Sequence, residues 1–199
     1  MSNVEVERWV SPEEYLEFER AAFEKHEYIN GKIYAMAGAG IPHARVTMTL
    51  SRLIATHVQG GLCESFRSDL RVFNPKSGSY FYPDLTVICG KPIVTDSYLD
   101  TATNPLIVLE VLSPSTEAFD RGDKFAHYRL LETLRTYVLV SQKEAKIEVH
   151  SRKEGEWIST VCTGLESTMT LDESEFSVSL SEIYYGVEFP LPLPPIKHR

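Results

Sequence analysis

Two apolar runs that each carry one acidic residue constrain this chain most. The first run, residues 80–88, is rich in aromatic and β-branched residues and contains Asp84 directly after Pro83. Such a composition favours a strand. The second run, residues 106–112, is apolar except for Glu110, a pattern typical of a strand that is buried on both faces. Because ionised carboxylates are rarely buried unless they are paired or bound to a metal, we expect both acids to serve a site.

Two acids offered from neighbouring strands can supply the oxygen ligands that a hard divalent cation such as Mg²⁺ prefers. Such a cation can polarise a phosphodiester and activate water, so Asp84 and Glu110 predict a metal site. The residues alone leave a simpler interpretation open. In it, Asp84 caps a strand and Glu110 forms a buried salt bridge with Lys124 or an arginine. Lys124 could also be a surface lysine that pairs with Asp120, four residues earlier.

The composition and net charge indicate how many domains the chain forms and how it could bind nucleic acid. A chain of 199 residues, 43% hydrophobic and 24% charged, predicts a single domain over residues 1–186. Residues 187–199 alternate proline with leucine, which predicts an extended, polyproline-like tail. The net charge of −8 argues against loose, charge-driven binding to nucleic acid. It does not exclude nucleic acid, since bound Mg²⁺ and a local basic face can offset it.

The cysteines and the lengths of the apolar segments indicate in which cellular compartment the protein is expected. Cys63, Cys89 and Cys162 are far apart and odd in number, so we expect neither a zinc site nor a disulfide framework. The first ten residues have no apolar signal core, and no run approaches membrane-spanning length. A reducing cytoplasm is therefore the expected location.

Local patterns predict an α/β fold that begins with a helix and a β-hairpin. Ser11 and Glu14 match a capping box, and Asn30-Gly31 favours a tight hairpin turn. The order of apolar and amphipathic segments over residues 106–140 predicts a βαβ unit. The predicted helices are residues 12–23, 43–59 and 117–132. The predicted strands are residues 62–66, 70–73, 81–89, 106–112, 137–140, 147–151 and 157–162.

These features together resemble the Uma-type family of restriction endonucleases, part of a superfamily whose motif is written PD-(D/E)XK. The matching motifs are Pro83-Asp84; the stretch from Glu110 to Thr116; Asp120, Lys124 and Tyr128; and, upstream, Glu27 with Asn30-Gly31 and His43 after Pro42. The resemblance runs from about residue 11 to about residue 150. It implies a restriction-endonuclease-like mixed central sheet flanked by helices, a nuclease centre that uses Mg²⁺ or Mn²⁺, and often a dimer.

By this resemblance, Asp84 and Glu110 are the metal ligands. The superfamily motif expects a lysine two residues after the second acid, where this chain has Leu112. The Uma-type pattern places a lysine on the following helix instead, and here that residue is Lys124. Its expected role is to stabilise charge on the attacked phosphate or to orient the attacking water.

Glu27 and His43 complete the implied site. The resemblance makes Glu27 a third acid that faces the metal centre, whereas the simpler interpretation is a solvent-facing strand residue paired with Lys25 or Lys32. His43 lies at a predicted helix N-terminus, where it could contact a phosphate or carry a proton. Its simpler interpretation is a helix-start histidine without chemistry.

The sequence thus predicts a cytoplasmic, metal-dependent endonuclease that hydrolyses phosphodiester bonds of DNA as a homodimer. Two-fold pairing would match two sites to the two strands of a duplex. A catalytically silent nuclease-fold protein that binds nucleic acid or a protein partner is the alternative. The basic face expected to meet DNA comprises Arg67, Arg71, Lys76, Arg121 and Arg129.

Overall fold

The computed structural model describes residues 9–36 and 38–189. Its strands are β1 (His26–Ile29), β2 (Lys32–Ala35), β3 (Cys63–Arg67), β4 (Arg71–Asn74), β5 (Ser79–Phe81), β6 (Leu85–Cys89), β7 (Thr101–Ala102), β8 (Ile107–Leu112), β9 (Thr136–Ser141), β10 (Lys146–Lys153), β11 (Glu156–Thr163), β12 (Thr168–Leu171) and β13 (Phe176–Ser179). Its α-helices are α1 (Pro12–Ala21), α2 (Ile41–Val58), α3 (Glu117–Arg121), α4 (Asp123–Tyr128) and α5 (Leu180–Ile183).

A six-stranded mixed sheet forms the centre of the fold, in the order β11-β10-β9-β8-β6-β3. The pair β8–β9 is parallel and the other neighbours are antiparallel, which confirms the predicted βαβ unit. All six residues of β8 are buried. One apolar cluster packs α2 and the β12–β13 hairpin on one face, and a second packs α4 on the other. This is the predicted mixed sheet with helices on both faces.

The N-terminal helix and hairpin are also confirmed. The Ser11 hydroxyl and the Glu14 carboxylate each accept a hydrogen bond from the other residue's backbone N–H. At the tip of the β1–β2 hairpin, Asn30 and Gly31 have φ values of 50° and 83°. The ring of Trp9 lies so close to Gly31 that an added Cβ would meet it at 2.0 Å. The hairpin belongs to a second sheet, in the order β2-β1-β5-β4-β7.

The predicted single strand over residues 81–89 is wrong, because the chain changes sheets within it. β5 belongs to the second sheet, and β6 belongs to the central sheet. Between them lies Tyr82-Pro83-Asp84. Proline has no N–H to donate to a ladder, so the pairing stops there and the chain turns. Asp84 therefore stands at the corner where the two sheets meet.

The predicted continuous helix over residues 117–132 is also wrong. Two short helices, α3 and α4, are separated at Gly122, whose backbone has φ −108° and ψ −99°. The Gly122 N–H closes α3 by donating to the carbonyls of Ala118 and Phe119. The second helix then ends at Tyr128, four residues before the predicted end. The break at Gly122 therefore divides the predicted helix into two separate elements.

The expectation of no disulfide is corrected by a Cys63–Cys89 bond. The two cysteines are direct partners in the antiparallel β3–β6 pair, a proximity that their separation of 26 residues conceals. Cys162 is a free thiol. No helix in the described ranges is long and apolar enough to cross a membrane.

The chain after residue 163 adds elements that the sequence patterns did not predict. The β12–β13 hairpin and α5 bury Met169, Leu171 and Ile183 against the central sheet. Val187 and Phe189, the first part of the predicted tail, pack on the same cluster. Residues 190–199, which carry the proline–leucine alternation, lie outside the described residues.

A buried arginine ties the second sheet to the loop before β7. The Arg71 side chain is 2% exposed, and its guanidinium contacts Asp100 at 2.5 Å. Arg20 of α1 binds the same carboxylate at 3.0 Å. Burial raises the pKa of Asp100, but the hydrogen bonds from Arg20 and Arg71 outweigh it and hold the pKa far below its usual range.

We expect Asp100→Asn to lower the free energy of unfolding by about 2–3 kcal/mol. This is less than the roughly 3–5 kcal/mol for a fully buried pair, because Asp100 is 31% exposed. The contribution is present above the unfolded pKa of about 3.9 and is lost as pH falls. Urea denaturation at pH 7 and pH 3 measures both effects. Asp69→Asn is the matched control, since this acid is 85% exposed beside Lys25; equal effects of the two changes would refute the argument.

Candidate functional site

The predicted site residues gather in one cleft of about 1320 Å³. Its walls come from the β1–β2 hairpin on one side and from the segment after β8, with α3 and α4, on the other. The corner at Asp84 and the end of β8 form part of its lining. The five predicted site residues that line it are Glu27, His43, Asp84, Glu110 and Lys124.

The two central acids come from adjacent antiparallel strands. Leu85 of β6 pairs with Leu109 of β8, and the same register brings Asp84 opposite Glu110. The Asp84 carboxylate accepts a hydrogen bond from the Val111 N–H at 2.7 Å through Oδ2. Asp84 keeps 18% of its side chain exposed, whereas Glu110 is buried. The strand pairing therefore aligns one partly solvated and one buried carboxylate side by side.

Lys124 is a buried residue that points at these acids, not a surface lysine. Its Nζ lies 2.9 Å from Glu110 Oε1 and 2.9 Å from Glu27 Oε1. Asp120 Oδ1 is 3.6 Å away. Burial lowers the pKa of Lys124, but the surrounding carboxylates, Glu110 first, raise it well above its usual value. The side chain is therefore a fixed cation.

Glu27 faces the cleft floor and not solvent. Its Oε1 accepts from the Tyr82 N–H at 3.2 Å in addition to contacting Lys124. The simpler interpretation of a solvent-facing residue paired with Lys25 or Lys32 is wrong on exposure, because Glu27 is 8% exposed; of these two lysines, Lys25 binds Asp69. The hairpin thus delivers a carboxylate from the second sheet to the cation of α4.

His43 lies in the first turn of α2 and contacts Asp84. Its Nε2 is 3.3 Å from Asp84 Oδ2, and its Nδ1 is 3.4 Å from the Thr47 hydroxyl. Burial lowers the pKa of His43, but its hydrogen bond with Asp84 and the charge of that carboxylate raise it, so that the net pKa lies above the usual value. The imidazole can therefore hold a proton beside the Asp84 carboxylate.

Glu110 has the environment of a carboxylate that resists ionisation. Burial raises its pKa well above the usual value; the Lys124 charge opposes this, and neighbouring acids reinforce it. The Tyr128 hydroxyl donates to Glu110 Oε1 at 3.4 Å. From the sequence, Asp120 was expected to pair locally or to act only indirectly, and Tyr128 had no predicted role. Asp120 lies in α3 and Tyr128 in α4, on either side of the break at Gly122, so the signal for both was their match to the family motif and not a helical period.

Three of the five cations predicted to form a basic face are engaged in ion pairs in the structure. Arg71 is buried in its ion pair with Asp100. Arg121 binds Glu117 and Glu148, and Lys76 binds Glu132. Non-local carboxylates therefore neutralise three of the five predicted cations. Arg67 and Arg129 are exposed.

The Uma2 family, described as "Putative restriction endonuclease", matches residues 12–181 of this chain. Two relatives come from Synechocystis sp. The "Uncharacterized protein slr1290" is 38% identical over 181 residues, 90% of this chain and 94% of the relative. The "Uncharacterized protein sll1609" is 41% identical over 153 residues, 76% of this chain and 86% of the relative.

A solved structure shares the fold. It is the crystal structure of "a putative nuclease belonging to DUF820" from Anabaena variabilis, with a TM-score of 0.74 and 16% sequence identity. The match covers 88% of this chain and 97% of that one, and it confirms the predicted mixed α/β fold. With the family match over most of its length, this chain is a member of the Uma2 family of restriction-endonuclease-like proteins.

Proposed function

We propose that this protein is an endonuclease that hydrolyses phosphodiester bonds of DNA with a divalent cation, Mg²⁺ or Mn²⁺. The observation that carries the proposal is the buried Lys124 ammonium held 2.9 Å from both Glu27 and Glu110, with Asp84 opposite Glu110 at the wall of a large cleft. A fixed cation beside paired acids is the arrangement that phosphoryl chemistry uses.

The acids fit a hard divalent cation by their chemistry. Hydrogen bonds engage Oδ2 of Asp84 and Oε1 of Glu110, and each carboxylate has a second oxygen to offer. No three His, Cys, Asp or Glu side chains of the described residues are arranged as a metal-binding group. Mg²⁺ commonly takes one or two carboxylates and fills its other positions with water and substrate phosphate. When bound, such an ion polarises the phosphodiester and activates water.

The remaining residues have separate proposed roles. Lys124 stabilises negative charge on the attacked phosphate, because its charge is fixed and aimed at the acid pair. Glu27, which belongs to the second sheet, keeps Lys124 in place through their ion pair. His43 holds a proton at the cleft wall, where it can contact a phosphate oxygen or pass the proton to the leaving oxygen.

A catalytically silent binding protein is the second candidate, and one observation favours it. The Lys124 ammonium already neutralises Glu110 and Glu27, so the acid cluster has a cation without any metal. Binding of Mn²⁺ distinguishes the candidates. An enzyme binds the ion through Asp84, whereas a closed ion-pair cluster does not.

For assembly and location, we propose a homodimer in the cytoplasm, where a DNA substrate is found. The Cys63–Cys89 bond is unusual for that compartment, where disulfides are rare.

Asp84→Ala should abolish both Mn²⁺ binding and DNA cleavage, because it removes the more solvated of the two carboxylates. Titration calorimetry with Mn²⁺ and a plasmid-nicking assay in Mg²⁺ measure the two effects. Asp69→Ala controls for the change in charge, since Asp69 is an exposed acid paired with Lys25. Wild-type cleavage by Asp84→Ala would disprove the metal assignment; a wild-type protein that binds DNA but neither binds Mn²⁺ nor cleaves would establish the silent alternative.

Lys124→Met should lower turnover by about 10²-fold or more with little effect on DNA binding. It should also cost about 3–5 kcal/mol of stability, because Glu110 and Glu27 lose their buried cation. The double variant Glu27→Gln with Lys124→Met removes one of these orphaned charges and should recover part of the stability but none of the turnover. Lys76→Met, at an exposed ion pair, is the control for both readouts. Full turnover in a folded Lys124 variant would contradict the assigned role.

Sedimentation at micromolar concentration should show a dimer. The affinity for DNA should fall with salt, with a log–log slope of about −0.9 per phosphate contact. The exposed residues Arg67 and Arg129 are the cations to replace, and removal of either should make the slope shallower by about one contact if it meets a phosphate. A protein that is only monomeric and whose DNA binding ignores salt would overturn this assembly.

A further inference from the structure

One aromatic side chain stands beside the acid cluster without a structural partner in the described residues. Tyr34 of β2 is the direct cross-strand partner of Glu27 in the hairpin. Direct partners share one face of a sheet, with Cβ atoms about 4.5–5.5 Å apart. Tyr34 also lines the cleft, and it is 47% exposed. Its ring is therefore next to the Glu27–Lys124 ion pair and open to the cleft.

The other six-membered rings of the cleft are used by the fold. Tyr82 is buried, and its hydroxyl donates to Glu19 at 2.9 Å. Phe119 packs against the apolar cluster under α4. No ring–ring or cation–π contact within the described ranges involves Tyr34. A single exposed tyrosine needs no explanation by itself, but an open ring beside the acid cluster, in a cleft this large, is placed to meet a ligand.

The charges of the cleft argue against a duplex as the tightest ligand. The acids that line it are Glu24, Glu27, Asp84, Glu110, Asp120 and Asp123. The two lysines that line it already hold carboxylates, Lys25 that of Asp69 and Lys124 those of Glu27 and Glu110. Two phosphate backbones would meet this negative wall with little compensation. Base stacking on an aromatic ring does not depend on such compensation, because every base has a neutral π-face.

Resting on the proposed nuclease function, we propose that Tyr34 is the stacking platform for an unpaired base next to the scissile phosphate. The preferred substrate is accordingly single-stranded DNA, or a single-stranded segment within a duplex. The cleft that Tyr34 lines has a volume of about 1320 Å³, which is large enough to hold a base and its sugar beside the ring.

Binding and cleavage are measured separately. Fluorescence anisotropy in EDTA compares a labelled 12-mer of thymidylates with a 12-base-pair duplex, so that affinity is read without turnover. We expect the single strand to bind more tightly than the duplex. Tyr34→Ala should weaken single-strand binding by about 5- to 150-fold, the range expected for loss of one stacked base. Tyr34→Phe, which keeps the ring, should stay within about twofold of wild type.

Tyr185→Ala is the matched control, because Tyr185 is 85% exposed and lies outside this cleft. In Mg²⁺, Tyr34→Ala should raise KM for the single strand and leave kcat nearly unchanged. Equal affinity for both DNAs with no loss in Tyr34→Ala, or no binding of either DNA, overturns the stacking proposal. Tyr34-dependent binding without cleavage in Mg²⁺ upholds stacking and overturns only the nuclease function.

Discussion

The buried ammonium of Lys124 is the interaction on which the site depends. A lysine in the interior is costly unless carboxylates compensate it, and here Glu110 and Glu27 do so at 2.9 Å each. The two acids come from different sheets and the lysine comes from α4. The ion cluster therefore joins three elements that are distant in sequence. Any movement of one of them would leave a charge buried without a partner, so the cluster fixes the shape of the cleft floor.

Two local breaks in regular structure make this convergence possible. Pro83 ends the pairing of β5 and lets the chain enter the central sheet, which brings Asp84 to the corner opposite Glu110. Gly122, with φ −108° and ψ −99°, ends α3 and separates it from α4, which carries Lys124. Lys124 thus reaches Glu110 from a helix, while the position at which the superfamily motif expects a lysine holds Leu112.

The sequence predicted the features that local physics determines. The Asn30-Gly31 turn, the Ser11 capping box and the buried strand around Glu110 depend only on neighbouring residues, and each was correct. The strand over residues 81–89 was wrong because its aromatic content outweighed the single signal from Pro83. The Cys63–Cys89 bond and the pairing of Arg71 with Asp100 depend on contacts between distant segments, which no local pattern encodes. The placement of Lys124 beside the acids followed from the family resemblance, not from periodicity.

The net charge of the acid cluster at the floor of the cleft bears on the proposed binding of a divalent cation. With every group ionised, the carboxylates of Glu27, Asp84, Glu110 and Asp120 face the ammonium of Lys124 and a protonated His43, so the formal charge is −2. Burial raises the pKa of Glu110 well above its usual value, and the charge of Lys124 opposes that shift. Under the proposed function, one divalent cation held by Asp84 and Glu110 would cancel the excess negative charge. An anionic substrate would then meet less repulsion at the cleft floor, so we expect Mg²⁺ to strengthen DNA binding beyond the affinity measured in EDTA.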